Sequence, residues 1–124
     1  DNFGNFYFSD LRNFRIRKID NSSIDNPIIS TIGGNGIFGF TPDGNLARNS
    51  SLNFPNNLVI DYQSNSLYFC ESEFNRIRSI DLNSNILSTI VGSFSSNPSP
   101  DGSFANETGM SFPSGLAIDS NSNM

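Results

Sequence analysis

The chain has 124 residues, a net charge of −5, a pI near 4.3 and no histidine. An acidic balance argues against a phosphate-backbone partner, which needs cations in excess, and the lack of histidine removes the commonest general base and a major metal ligand. Asn and Ser are abundant and compete with helix backbone, while 12 Phe favour pleated, half-buried surfaces, so the composition leans to a β protein rich in turns.

Residues 1–4 have neither the charged nor the apolar region of a signal peptide, and no apolar run approaches membrane-spanning length. Residues 5–10 read as a short aromatic strand entered from Gly4, followed by a brief turn over 11–13 and a second strand over 15–19. Residues 21–27 are polar turn formers. A third, β-branched strand spans 28–32 and ends at Gly33-Gly34. A long connection follows, with Pro42-Asp43-Gly44 as a turn signal; Leu52-Asn53-Phe54-Pro55 then leads into a fourth strand over 58–61.

The pattern then begins again. Arg15-Ile16-Arg17-Lys18-Ile19-Asp20 returns as Arg76-Ile77-Arg78-Ser79-Ile80-Asp81, and a spacing of roughly 60 residues indicates an internal repeat. Residues 66–71 match the aromatic strand and 86–90 match 28–32. Pro100-Asp101-Gly102 repeats the turn, and Ser111-Phe112-Pro113 leads into a strand over 116–119. The lone Cys70 can form no disulfide within this stretch and reads as a small buried residue.

Apolar residues never recur at helical spacing over three turns, so no substantial helix is expected. Leu58-Val59-Ile60 and Ile28-Ile29 are apolar at both parities, which predicts sheets covered on both faces. Small sheets stacked face to face describe a β-propeller.

Gly4-Asn5-Phe6-Tyr7-Phe8-Ser9-Asp10 with Asn13-Phe14-Arg15-Ile16-Arg17-Lys18-Ile19-Asp20 resembles the NHL repeat, "GNLYIAD…NNRIRKVD". Ser30-Thr31-Ile32-Gly33-Gly34-Asn35-Gly36 resembles its "TTIAGNG" blade end, and residues 42–55 its "GDGGPA…LNFP" connection. The resemblance covers essentially the whole chain, twice. It implies an all-β fold, a partial β-propeller of two NHL-type repeats with four-stranded antiparallel blades, cut from a larger propeller that in this family commonly has six blades. Residues 1–57 would be a first repeat lacking its inner strand, 58–114 a full blade with its connection, and 115–124 the inner strand of a third blade.

Five of the seven basic residues, Arg15, Arg17, Lys18, Arg76 and Arg78, lie in the twin strings. The resemblance brings in RNA binding, which some NHL propellers of tripartite-motif proteins perform through a basic face. Asp10, Asp20, Glu71, Glu73 and Asp81 nearly cancel the cluster, and RNA would also want exposed aromatic groups. The Phe and Tyr are expected in strand cores, and the cations at a basic strand edge in exposed pairs of about 0–1 kcal/mol each. Asp43, Asn45 and Asp101 could be drawn as cation ligands, yet a Pro-Asp-Gly turn explains them. Asp61 and Asp119 end inner strands, where acid–base groups of propeller hydrolases can sit, and an Asx turn accounts for them equally. The resemblance also brings in an amidating lyase, whose metal is held by histidines this stretch lacks. Sequons at Asn21, Asn49 and Asn106 fall in loops and tilt the compartment slightly toward the outside of the cell.

The expectation is a non-catalytic scaffold without cofactor, metal or membrane contact. It would hold a protein or carbohydrate by long loops that carry Asn35, Asp43, Asn45, Asp101 and Ser103. The alternatives are a six-bladed hydrolase or lyase with a metal at the axis, and an RNA-binding propeller.

Overall fold

A computed structural model describes the chain Asp1–Met124 except Asn2, Ser23 and Ile24. Two readings fall partly outside the described residues: the leader features of residues 1–4, and the polar run 21–27 with its sequon at Asn21.

Among the described residues, seven strands form two antiparallel sheets. The first holds β1 (Phe6–Asp10), β2 (Arg15–Asp20) and β3 (Ile28–Gly33). The second holds β4 (Pro55–Asp61), β5 (Ser66–Glu71), β6 (Arg76–Asp81) and β7 (Leu87–Val91). Strands pair in chain order, as short segments joined by tight turns must. The registers repeat too. Asp10 stands opposite Arg15 as Glu71 stands opposite Arg76, and the pairing with the next strand slips between Ile16 and Arg17 as it does between Ile77 and Arg78. Each sheet is a blade, and together they make a partial β-propeller.

β4 starts earlier than the sequence suggests, because Pro55 and Asn56 already pair with Glu71 and Cys70 ahead of a bulge. Proline is tolerated there as the first residue of a strand. Residues 116–119 make no ladder: a strand is held by its neighbours' backbone groups, and none of the described strands pairs with this segment.

The core lies between the blades. Leu67, Phe69, Ile80 and Leu87 of the second blade pack with Ile16 of β2 and with Ala47 and Leu52 of the connection. Each large apolar side chain contributes about 1.5–3 kcal/mol by leaving water. Gly33 permits the approach, since a Cβ there would come within 2.7 Å of Ile80 Cδ1. The connection also covers the β7 edge: the Gly44 amide donates to the Leu87 carbonyl at 2.9 Å, and the Leu87 amide to the Asn45 carbonyl at 3.0 Å. A covered edge cannot template foreign strands. Cys70 is buried on β5, and burial pushes its thiol pKa up.

Candidate functional site

Each blade turns through a 3-10 segment, Leu11–Asn13 in the first and Ser72–Phe74 in the second. Both end on a left-handed residue, Phe14 (φ 51°) and Asn75 (φ 53°), whose amides return to the Leu11 and Ser72 carbonyls. Asparagine tolerates that conformation; a phenylalanine there is an outlier. Because β3 and β7 run antiparallel to β2 and β6, the connections over 34–54 and 92–112 start at this same end.

Six phenylalanines from these turns and connections form a continuous ridge. Phe14, Phe38 and Phe54 meet edge to face at 5.2–5.7 Å between centroids. Phe38 continues to Phe74 at 6.1 Å, Phe74 to Phe94 at 5.7 Å, and Phe94 to Phe40 at 5.0 Å. Phe38, Phe40 and Phe94 are about half exposed. Phe14, Phe54, Phe94 and Phe112 all have left-handed backbone, a strain that persists only where surroundings over-determine it and that gathers at ligand sites.

Beneath the ridge lies a buried ionic cluster. The Arg76 guanidinium sits 4.1 Å from the Phe94 centroid, 4.6 Å from Phe40 and 5.5 Å from Phe74, and donates to Glu71. Glu71 also accepts from the Asn53 amide at 2.9 Å. Burial works against both charges, pushing the Glu71 carboxyl up and the Arg76 guanidinium down, while each partner pulls the other back. Arg78, also buried, donates to Asp43 at 2.7 Å, and Asp43 accepts from Thr89 at 2.9 Å. Burial would raise the Asp43 carboxyl; the Thr89 hydrogen bonds and the Arg78 charge outweigh it and leave the pKa lowered.

Arg76 and Arg78 therefore do not edge a strand. β6 lies inside its sheet, and the preceding connection folds over both residues. The other cations are more open: Arg17 pairs with Asp10 at 3.4 Å, Lys18 with Asp20 at 3.7 Å, and Arg15 donates to the Asn13 and Asn35 carbonyls. Among the anticipated loop residues, Asn35 donates to the Asn49 carbonyl and accepts from the Ile37 amide, Asn45 donates to the Pro42 carbonyl, and Ser103 donates to the Pro100 carbonyl. These bonds shape loops. Asp101 is exposed.

Reasoning from the sequence misplaced the phenylalanines. Only Phe6, Phe8 and Phe69 lie in described strands; Phe14, Phe38, Phe40, Phe54, Phe74 and Phe94 lie in turns and connections. The signal that could have found five of them is Phe beside Gly, Asn or Pro, outside any alternating run; Phe94, between two serines, carries only the second half of it.

Next to Phe54 an open cleft of about 260 Å³ is lined by Leu11, Arg12, Asn56, Ser72, Glu73 and Phe112. It joins apolar walls to charged and amide groups, the usual make-up of a small-molecule site. Asp61 and Asp119 meet at a different cavity of about 360 Å³. Asp61 accepts from Ser64, Ser122 and the Gln63 amide, Asp119 from Asn123 and the Asn121 amide, and these bonds lower both pKa values. Carboxylates held ionised by such hydrogen bonds are poorly matched to proton transfer near neutral pH.

No family model matches the chain, and no curated protein matches it. Its fold recurs in solved structures. A Bacteroides thetaiotaomicron protein of unknown function superposes with a TM-score of 0.71 at 20% identity, over 90% of this chain and 26% of that one. An auxiliary nutrient binding protein from the same organism superposes at 0.69 and 19% identity, over 93% of this chain and 30% of that one. The chain thus spans less than a third of the length of either structure, and the likeness is one of fold.

Proposed function

We propose that the chain is part of a non-catalytic binding propeller of the NHL type, and that its connection face receives a carbohydrate. The observation that carries this reading is the ridge of six phenylalanines with half-exposed Phe38, Phe40 and Phe94. A contiguous exposed aromatic surface marks an interaction site. The C–H faces of a sugar ring are apolar and stack on such rings, while its hydroxyls need fixed polar partners. Arg12, Asn56 and Glu73 in the neighbouring cleft supply them.

The twin Arg-Ile-Arg-x-Ile-Asp strings support the NHL reading and a division at 57/58 and 114/115. The nutrient-binding description of one structural neighbour supports a small ligand. Asn35, Asp43, Asn45 and Ser103 hold the loops in shape for it, and exposed Asp101 is offered on the second connection. The burial of Arg76 and Arg78 supports this reading over RNA.

The test is calorimetric titration with a panel of neutral oligosaccharides, repeated with Phe38→Ala and Phe94→Ala. Each variant should weaken binding about tenfold, the worth of one well-placed ring contact. No binding across the panel, or binding that ignores both substitutions, would end the proposal.

A further inference from the structure

Two glycan-acceptor triplets, Asn49-Ser50-Ser51 and Asn106-Glu107-Thr108, lie wholly among the described residues, and both fall in the same feature of their repeats. The 3-10 turns Ala47–Asn49 and Ala105–Glu107 are built alike. The Asn49 amide donates to the Leu46 carbonyl and the Glu107 amide to the Phe104 carbonyl, each at 3.0 Å. The Ser50 and Thr108 hydroxyls donate to those same two carbonyls, each at 2.9 Å. Ala47 therefore corresponds to Ala105, Arg48 to Asn106 and Asn49 to Glu107.

Asn49 and Asn106 are both exposed, and among the described residues neither side-chain amide makes a hydrogen bond; Asn35 bonds the Asn49 carbonyl, not its side chain. The exposure belongs to the position and not to the ends of the stretch. Glu107, in the place of Asn49, is exposed with a connection before it, and Arg48, in the place of Asn106, is exposed with a whole blade after it. The two turns pack on β3 and β7, the last strands of their blades. A bulky, solubilising group attached there points into water.

The asparagines that the fold uses most closely open no such triplet. Asn53 is buried, Asn35 ties the first connection together, and Asn65, Asn75 and Asn85 hold left-handed turns. The hydroxyl two residues after the acceptor, which the transferase reads, is engaged in the folded chain. Thr108 donates to Phe104, and Ser51 accepts from Asn35 at 3.3 Å. Attachment therefore belongs to the unfolded chain, and the fold has only to leave room for the product. It does so at both turns.

We propose that Asn49 and Asn106 carry N-linked oligosaccharides, added before the chain folds. The carboxamide nitrogen of each attacks the anomeric carbon of an oligosaccharide held on a lipid diphosphate. A nitrogen–carbon bond forms as the carbon–oxygen bond to phosphate breaks. The bonding pair leaves with the lipid diphosphate, and the amide proton passes to a base. Threonine is the better acceptor hydroxyl, because its methyl group adds contact, so Asn106 fills more completely than Asn49. Donor and transferase work in the secretory lumen, and the protein passes through it.

The test is made on the whole protein, isolated from the cells that produce it. Its peptides, treated with peptide-N-glycosidase in heavy-oxygen water, should return Asn49 and Asn106 as labelled aspartate, Asn106 to the greater extent. In secretory expression of the same protein, Asn49→Gln and Asn106→Gln should each remove the mass of one glycan. Ser51→Thr should raise occupancy at Asn49. Circular dichroism should find both glutamine variants folded, since neither side chain they replace is bonded. Either asparagine recovered wholly unmodified from the native protein would overturn the proposal. So would glutamine variants that lose no mass, or an Asn49 filled more completely than Asn106.

Discussion

Gly36 and Phe94 hold the same place in their two connections. Each lies two residues beyond the glycine that follows its blade, at Gly34 and Gly92, and each has left-handed backbone, φ 90° and 67°. A Cβ at Gly36 would run into the Arg15 guanidinium, whereas the Phe94 ring stacks on Arg76, the counterpart of Arg15. The repeat thus spends one site on backbone freedom and the other on an aromatic contact.

Phe94→Gly is expected to be more stable than Phe94→Ala, by about 1 kcal/mol, reversing the usual order of these residues. Both lose the ring over Arg76, but only glycine escapes the left-handed penalty. Chemical denaturation of the two variants measures it; an alanine variant of equal or greater stability would contradict the assigned backbone.

Arg76→Met should cost about 3 kcal/mol, because Glu71 is then left buried without its main counter-charge. The double variant Arg76→Met/Glu71→Gln should be more stable than the single one at neutral pH. The sign with pH follows from the same cause. A Glu71 pKa raised in the folded state gives stability that is present at low pH and lost as pH rises through that pKa. The single variant should therefore recover part of its deficit on mild acidification, and the double variant should not.

Asp61, Asp81 and Asp119 behave oppositely. Hydrogen bonds from Ser64 and Ser122, from the Asn83 amide and Ser84, and from Asn123 lower their respective pKa values. Their contribution is complete above about pH 4 and is lost as pH falls through the depressed folded values. Thermal melts between neutrality and pH 3 should show a falling midpoint. Asp61→Asn should flatten that fall while lowering the midpoint at pH 7.

Asp43→Asn should cost roughly 1–2 kcal/mol, since it removes the charged acceptor from buried Arg78 and weakens the Thr89 bond. Hydrogen exchange should localise the loss to β7 and the amides of the connection over 34–54. A uniform loss across the first blade would show that Asp43 does not fasten this edge.

The blades were legible because strand pairing depends on short-range pattern. The repeated Arg-Ile-Arg-x-Ile-Asp string placed β2 and β6 to within a residue, and the Gly33-Gly34 and Gly92 signals placed the ends of β3 and β7. The site was not legible in the same way. Arg15 and Arg76 share string and register, yet only Arg76 is enclosed by three rings, Phe40 from the connection before its blade, Phe74 from its own turn and Phe94 from the connection after it. The strings themselves do not distinguish the two arginines; the difference lies outside them, at Phe74 and Phe94, where the first repeat has Asn13 and Gly36. The ridge was missed for a related reason: Phe38, Phe40 and Phe94 belong to no alternating run, and their neighbours come together only once the turns and connections stack.

Cys70 offers an unplanned clock. It is the chain's sole sulfhydryl, fully enclosed on an inner strand, and its enclosure disfavours the reactive thiolate. A maleimide can reach it only when the second blade parts from what lies against it. The labelling rate therefore counts those excursions, without a probe having to be introduced.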